Sequence, residues 1–200
     1  MISNEEWQNF LKIENEYRQN HIPCVRKETA KLLSTLVAEE KPQKILEIGT
    51  AVGYSGTIML LSCESSNLTT IDLSAEMIRQ AKQNFKKFGV EKRVTTICDD
   101  AKHFFENNKQ NFDFVFLDGP KGQYEKYLPY IKKCLNIGGV LFCDDVLYFG
   151  MVIDDRLVVH KKITIVRNLR EFLEMVCGDK DFESKVLQLE DGILVAKKVK

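Results

Sequence analysis

The chain contains no apolar run of about 18 residues, the least a membrane-crossing helix needs, and its first turns carry Glu5, Glu6 and Lys12 where a secretory segment would be apolar. Membrane spanning and export are both disfavoured. It has no net charge either: 29 basic residues balance 29 acidic ones, so nothing in the overall charge demands a polyanionic partner. Any nucleic-acid footprint must be local. The six cysteines, Cys24, Cys63, Cys98, Cys134, Cys143 and Cys177, include no C-x-x-C pair. They read as reduced core residues and point to the cytoplasm. The histidines, His21, His103 and His160, are widely separated, which argues against a zinc or histidine-base site. No G-x-S-x-G elbow surrounds Ser55, so a nucleophilic triad has no support. Internal repeats, low-complexity tracts and linkers are also missing. One domain over residues 1–200 is expected, 44% hydrophobic and large enough to bury a substantial core.

What is present is an alternation of strands and helices, the pattern of a parallel sheet with helical crossovers. Two opening helices, 3–19 and 26–38, are joined at Asn20-His21-Ile22-Pro23, and the N-terminal segment 1–40 should cover the cofactor and substrate side. Strands follow at 44–49, 68–72, 93–98, 112–117 and 139–144, alternating with helices at 54–63, 74–88, 101–107 and 123–135. Gly89 and Gly138-Gly139 sit where helices should stop. Ile45–Ile48, Phe114–Leu117 and Val140–Phe142 are apolar nearly throughout, as strands covered by helices on both faces must be. A basic helix at 161–177 leads to strands 185–189 and 193–196 around Glu190-Asp191-Gly192, a hairpin signal. The fold class is therefore α/β: a seven-stranded, mostly parallel sheet with an antiparallel C-terminal hairpin at its edge.

The first strand runs into a glycine-bearing turn, Glu47-Ile48-Gly49-Thr50-Ala51-Val52-Gly53-Tyr54-Ser55, and then a helix. Such a turn lets backbone approach a ligand and aims helix N–H groups at it. Its spacing departs from G-x-G-x-x-G, since Ala51 and Tyr54 replace the second and third glycines, and no Gly-Lys-Ser/Thr follows to make a phosphate loop. Glu47 would repel a pyrophosphate and suits a cationic ligand. Asp72, at the end of Leu68-Thr69-Thr70-Ile71, stands where an acid meets ribose hydroxyls. A structural strand–turn–helix without a ligand is the plainer alternative.

Three more acids end adjacent strands: Asp118 after Phe114–Leu117, and Asp144-Asp145 after Val140–Cys143. Their mutual repulsion calls for a cation, and an all-oxygen set points to Mg²⁺, Mn²⁺ or Ca²⁺ rather than zinc. A lone acid there would more often cap a turn. Lys121, three residues beyond Asp118, is a candidate base if its pKa is lowered, or else a solvated loop lysine.

Glu47-x-Gly49-x-x-x-Gly53-Tyr54-Ser55, Asp72, Asp99-Asp100-Ala101, Asp118-x-x-Lys121-x-x-Tyr124 and Asp144-Asp145-Val146-Leu147-x-x-Gly150 together resemble the cation-dependent class I S-adenosylmethionine O-methyltransferases of the catechol and caffeoyl-CoA type, with their Rossmann-like fold. Within that group, Asn20–Pro23, Lys121–Tyr124 and Leu189–Ile193 look closest to the bacterial tRNA 5-hydroxyuridine methyltransferases. The resemblance implies Glu47, Gly49, Thr50, Gly53 and Ser55 around the methionine moiety, Asp72 on the ribose, Ala101 by the adenine and Val25 closing the pocket. It also implies Asp118, Asp144 and Asp145 on the metal, Asp118 touching the cofactor as well, and Lys121 as base. Two departures stand out: Asp145 replaces the family's usual Asn, and Gly119-Pro120 replaces an acid-rich turn.

The resemblance implies methyl transfer from S-adenosylmethionine to a hydroxyl oxygen. It ranks the tRNA wobble hydroxyuridine first and a catechol-like or acyl-CoA phenol second. Arg26, Lys27, Lys31, Arg156, His160, Lys161, Lys162, Arg167 and Arg170 could meet phosphates, although Asp154, Asp155, Glu171 and Glu174 dilute the later stretch. Tyr148 and Phe149 could stack a flipped base or a phenolic ring. A homodimer is also implied, with Trp7, Phe10 and Leu11 forming an apolar stripe that could equally pack within the chain. An NAD-type oxidoreductase and a non-catalytic cofactor- or RNA-binding module remain as readings of a different class.

Overall fold

A computed structural model describes residues 2–200. The strands follow the order β3-β2-β1-β4-β5-β7-β6 in a seven-stranded sheet, and the chain divides into two compact units, residues 1–101 and 102–200.

The first unit holds α1 (Asn4–Gln19), α2 (Lys27–Glu40), β1 (Lys44–Ile48), α3 (Tyr54–Ser62), β2 (Asn67–Asp72), α4 (Ala75–Lys87) and β3 (Val94–Cys98). β1 pairs with β2 and β2 with β3, all parallel. After its exposed first residue β1 is buried at every position, whereas β3 is only partly covered. Leu33, Val37, Ile45, Leu46, Ile58, Met59 and Phe85 fill the interior. Arg93 donates to the carbonyls of Leu60, Cys63 and Ser66, closing off the orphan acceptors at the end of α3.

The expected apolar stripe of α1 is used inside the chain. Phe10 is fully buried, stacked on Phe88 at 5.2 Å and edge-on to Tyr54 at 5.7 Å, with Trp7 against its outer side. The stripe thus supplies no argument for a dimer. Tyr17 joins the same seam: Asn84 Nδ2 donates both to Tyr17 Oη and to the carbonyl of Val52.

The second unit contains α5 (Ala101–Asn107) beyond its first residue, β4 (Phe112–Leu117), α6 (Tyr124–Cys134), β5 (Leu135–Cys143), α7 (Ile163–Gly178), β6 (Phe182–Leu187) and β7 (Ile193–Lys198). β4 and β5 are parallel, while β7 runs antiparallel to both β5 and β6, which forms the expected hairpin edge. Phe112, Phe114, Phe116, Phe142 and Phe172 are fully buried.

The boundaries of β5 and β6 differ from expectation. β5 begins at Leu135, directly after α6, so Gly138 and Gly139 lie inside the strand, where the register with β4 shifts between Phe112 and Phe114. Glycines in a strand mark such an irregularity as readily as a helix stop. β6 runs Phe182–Leu187 rather than 185–189, and residues 188–192 form a longer turn than the expected Glu190-Asp191-Gly192, with Asp191 turned toward the segment after β5.

Phe10→Ala is expected to lower unfolding free energy by about 3 kcal/mol, the order of a buried aromatic truncation. Denaturant titration of the variant against the parent chain checks this.

Candidate active site

In the first unit the turn after β1 is shaped by left-handed backbone: Gly49 has φ 103°, Ala51 φ 42° and Gly53 φ 75°. The glycine at 53 serves close packing as well as conformation, since a Cβ there would lie 2.8 Å from Phe85 Cζ and 3.1 Å from Ala81 Cβ. Gly49 and Thr50 both donate to the Ile71 carbonyl, at 2.9 and 3.2 Å, which ties the turn to β2.

Glu47 lies under this turn and is fully buried. Ser55 Oγ donates to its Oε1 and Thr70 Oγ1 to its Oε2, each at 2.5 Å, and Thr70 lies 2.6 Å from Thr50 Oγ1. Thr50 and Val25 are sealed from solvent too. All three were expected around a cofactor, and Glu47 fixes the Ser55 hydroxyl at the start of the helix that follows the turn. Ser55 and Ala101 are nearly buried, and Gly49 and Asp72 half-exposed. Asp72 accepts the Ala51 N–H on Oδ2 at 2.9 Å and the Ser74 N–H on Oδ1 at 2.8 Å. A second lone pair on each oxygen is left to accept hydroxyl groups. Thr70 carries a part in this network that its place in a β-rich run did not reveal.

In the second unit, oxygens of Asp118, Asp144 and Asp145 lie within 4.8 Å of one another. β4 delivers Asp118 and β5 delivers Asp144, whose N–H is bound by the Leu117 carbonyl at 3.1 Å. Asp145 takes φ 55°, and its N–H donates to Asp144 Oδ1 at 2.8 Å. Lys121 Nζ lies 2.5 Å from Asp118 Oδ1 and 3.4 Å from Asp145 Oδ2. It also donates to Tyr124 Oη at 3.1 Å, and that buried hydroxyl donates in turn to the Leu117 carbonyl at 3.0 Å. The spacing Asp118, Lys121, Tyr124 thus stacks three polar groups at the end of β4. Asn168 on α7 adds a support that no motif signals: its Nδ2 donates to the Gly122 carbonyl at 2.9 Å and to Glu125 Oε1 at 3.2 Å, bracing the turn that carries Lys121.

The electrostatics follow from crowding. Burial, then the charges of Asp118 and Asp145, push the Asp144 carboxyl up to about 8. Burial also raises Asp118, against the pull of Lys121. Burial alone would lower Lys121, but Asp118, Tyr124 and Asp145 outweigh it and hold the amine well above its ordinary value, as an ammonium. The lowered value that a base requires is not the resting state of this lysine. An all-carboxylate set under mutual repulsion fits a hard divalent cation such as Mg²⁺, Mn²⁺ or Ca²⁺, for which Asp118, Asp144 and Asp145 are the available holders.

The O-methyltransferase family model matches residues 4–199. The chain belongs to the O-methyltransferase family. Among similar proteins, a caffeoyl-CoA O-methyltransferase of Populus kitakamiensis is 28% identical over 180 residues, covering 84% of this chain and 75% of its own length. The crystal structure of a "putative caffeoyl-CoA O-methyltransferase" from Staphylococcus aureus is 29% identical, with TM-score 0.87 over 94% of this chain and 91% of its own. The O-methyltransferase TomG from Streptomyces achromogenes, solved with S-adenosylmethionine, shares the fold at 24% identity and TM-score 0.85, over 100% and 92% of the two chains. Family membership makes this chain an S-adenosylmethionine-dependent O-methyltransferase and removes the oxidoreductase and non-catalytic readings.

Because folding raises the pKa of Asp144 from 3.8 to about 8, the folded state binds the proton more tightly, so this group's contribution to stability falls as pH rises between those values. Thermal unfolding of chelator-treated protein should show that fall, and Asp144→Asn should flatten it.

Proposed function

We propose that this methyltransferase acts on a hydroxyl of a small phenolic or catechol-like substrate, acyl-CoA phenols included, with S-adenosylmethionine as donor and a divalent cation held by Asp118, Asp144 and Asp145. The observation that carries the reading is the convergence of those three carboxylates with Lys121 in a chain of this family. A divalent ion bound by them would acidify and orient a substrate hydroxyl. Lys121 then has two uses. As an ammonium it orients a substrate oxygen and offsets its negative charge. Where the acids' charge is balanced, burial is left as the main influence on Nζ, and it lowers the pKa toward that of a proton acceptor.

For the donor, Asp72 offers its remaining lone pairs to ribose hydroxyls and Ser55, fixed by Glu47, lies at the turn that would meet the methionine moiety. The bound S-adenosylmethionine of TomG supports the same cofactor here. The departure at Asp145 adds a carboxylate where the family usually has an amide, which favours tighter cation binding.

The similar proteins reverse the order of substrates expected from the sequence, because the Populus kitakamiensis relative is named for caffeoyl-CoA. The basic stretch also thins on folding: Arg156 pairs with Asp154 at 2.7 Å, Arg170 with Asp155 at 2.7 Å, and Arg167 faces Glu171 at 3.9 Å. The tRNA reading keeps one supporting observation. His160, Lys161 and Lys162 are exposed, and Lys162 Nζ stands 5.6 Å from the Tyr148 ring centroid.

Incubation with labelled S-adenosylmethionine and Mg²⁺, against caffeoyl-CoA, catechol and 5-hydroxyuridine-bearing tRNA in parallel, separates these substrates. The expected result is methylated phenol, lost with chelator and reduced at least about 100-fold by Asp118→Ala. Product on tRNA alone would overturn the small-molecule reading.

A further inference from the structure

We propose that Asp191 is a positioning residue for the acid cluster: from the turn between β6 and β7 it holds the segment after β5 in the conformation that presents Asp144 and Asp145 beside Asp118. This rests on the reading of those acids as cation ligands.

The segment leaving β5 is strained. Asp145, Tyr148 and Phe149 take φ values of 55°, 45° and 57°, followed by Gly150 at 75°. Left-handed backbone costs roughly 1–2 kcal/mol at a residue with a Cβ, and Tyr and Phe have no short polar side chain with which to offset it. Such a conformation persists only where surrounding structure over-determines it. The 188–192 turn is that structure. The Leu147 N–H is bound by the Asp191 carbonyl at 2.9 Å and the Val146 N–H by the Gly192 carbonyl at 3.0 Å. The Phe149 N–H donates to Asp191 Oδ1 at 2.5 Å. One residue thus binds the segment through both its backbone and its side chain.

Packing enforces the same placement. Asp191 is 6% exposed and Val146 fully buried, and Gly192, at φ 85°, lies so close to Leu147 that a Cβ would come within 2.2 Å of Leu147 Cγ. The opposite end of the segment is fixed at Asp144 by the Leu117 carbonyl. From the 188–192 turn, the Asp191 carboxylate reaches past Leu147 to Phe149, the second of the left-handed pair. Ligand geometry in a metal site depends on partners of this kind, which touch no metal themselves.

A role confined to closing the hairpin predicts lost stability with unchanged cation affinity in the protein that remains folded. The test is Mn²⁺ binding, followed by electron paramagnetic resonance of the free ion, to parent, Asp118→Ala, Asp191→Ala and Asp191→Asn, alongside metal-free thermal unfolding. Asp191→Ala should bind Mn²⁺ at least about 10-fold more weakly. Asp191→Asn, whose Oδ1 still accepts the Phe149 N–H, should stay within about 3-fold of the parent. If the alanine variant does not fold, Asp191→Ser, whose hydroxyl ends short of that N–H, takes its place and should show the same loss. Unchanged affinity in the alanine or serine variant, or an equal loss in the asparagine variant, overturns the positioning role. Absence of Asp118-dependent Mn²⁺ binding in the parent chain overturns the cation reading beneath it, a result distinct from the other two.

Discussion

Like charges brought together at the ends of β4 and β5 are the constraint around which the second unit is arranged. Asp118, Asp144 and Asp145 lie within 4.8 Å of one another, and such proximity is tolerated only where protonation, an internal cation or an external one balances it. Lys121 supplies the internal cation, Tyr124 accepts one of its hydrogen bonds, and Asn168 braces the turn that brings it there. The same crowding suits the acids to a divalent ion. A site without this repulsion would be more stable and chemically idle.

The first unit treats the acid beneath its glycine turn in another way. Glu47 is met by two hydroxyls, those of Ser55 and Thr70. Buried polar groups satisfied in this manner fix geometry, and here they fix a turn whose backbone is already specialised at Gly49, Ala51 and Gly53. Asp72 extends the arrangement, bonding the turn through Ala51 and the start of α4 through Ser74. One unit is built to hold a fixed polar surface, the other a charge imbalance.

Much of this was legible in the sequence, for local reasons. Apolar strands ending in Glu47, Asp72, Asp118 and Asp144 declare both their type and their carboxyl ends within a few residues. The glycine spacing after β1 was equally local. What escaped depends on contacts distant in sequence. Gly138-Gly139 looked like a helix stop because the register shift that places them inside β5 involves Phe112 and Phe114. The extent of the β6–β7 turn was hidden because Asp191 answers to Phe149, 42 residues earlier. Lys121 could be placed beside the acids, but its protonation depends on burial and on three neighbours together. The basic stretch at 156–170 looked like a surface for phosphates because the folding of Arg156 and Arg170 onto nearby acids and carbonyls is not visible in composition.

The reliance of the 145–149 segment on the 188–192 turn has a consequence for the order of assembly. During synthesis Asp118, Asp144 and Asp145 emerge well before Asp191 and Gly192, and β7 pairs with β5 only afterwards. The nascent chain can therefore shape the turn above Glu47 and beside Asp72 early, while the carboxylate geometry waits for the hairpin to close. Vectorial folding thereby separates the maturation of the two units in time, and a ribosome-bound intermediate would have its glycine turn before it had a competent cluster of acids.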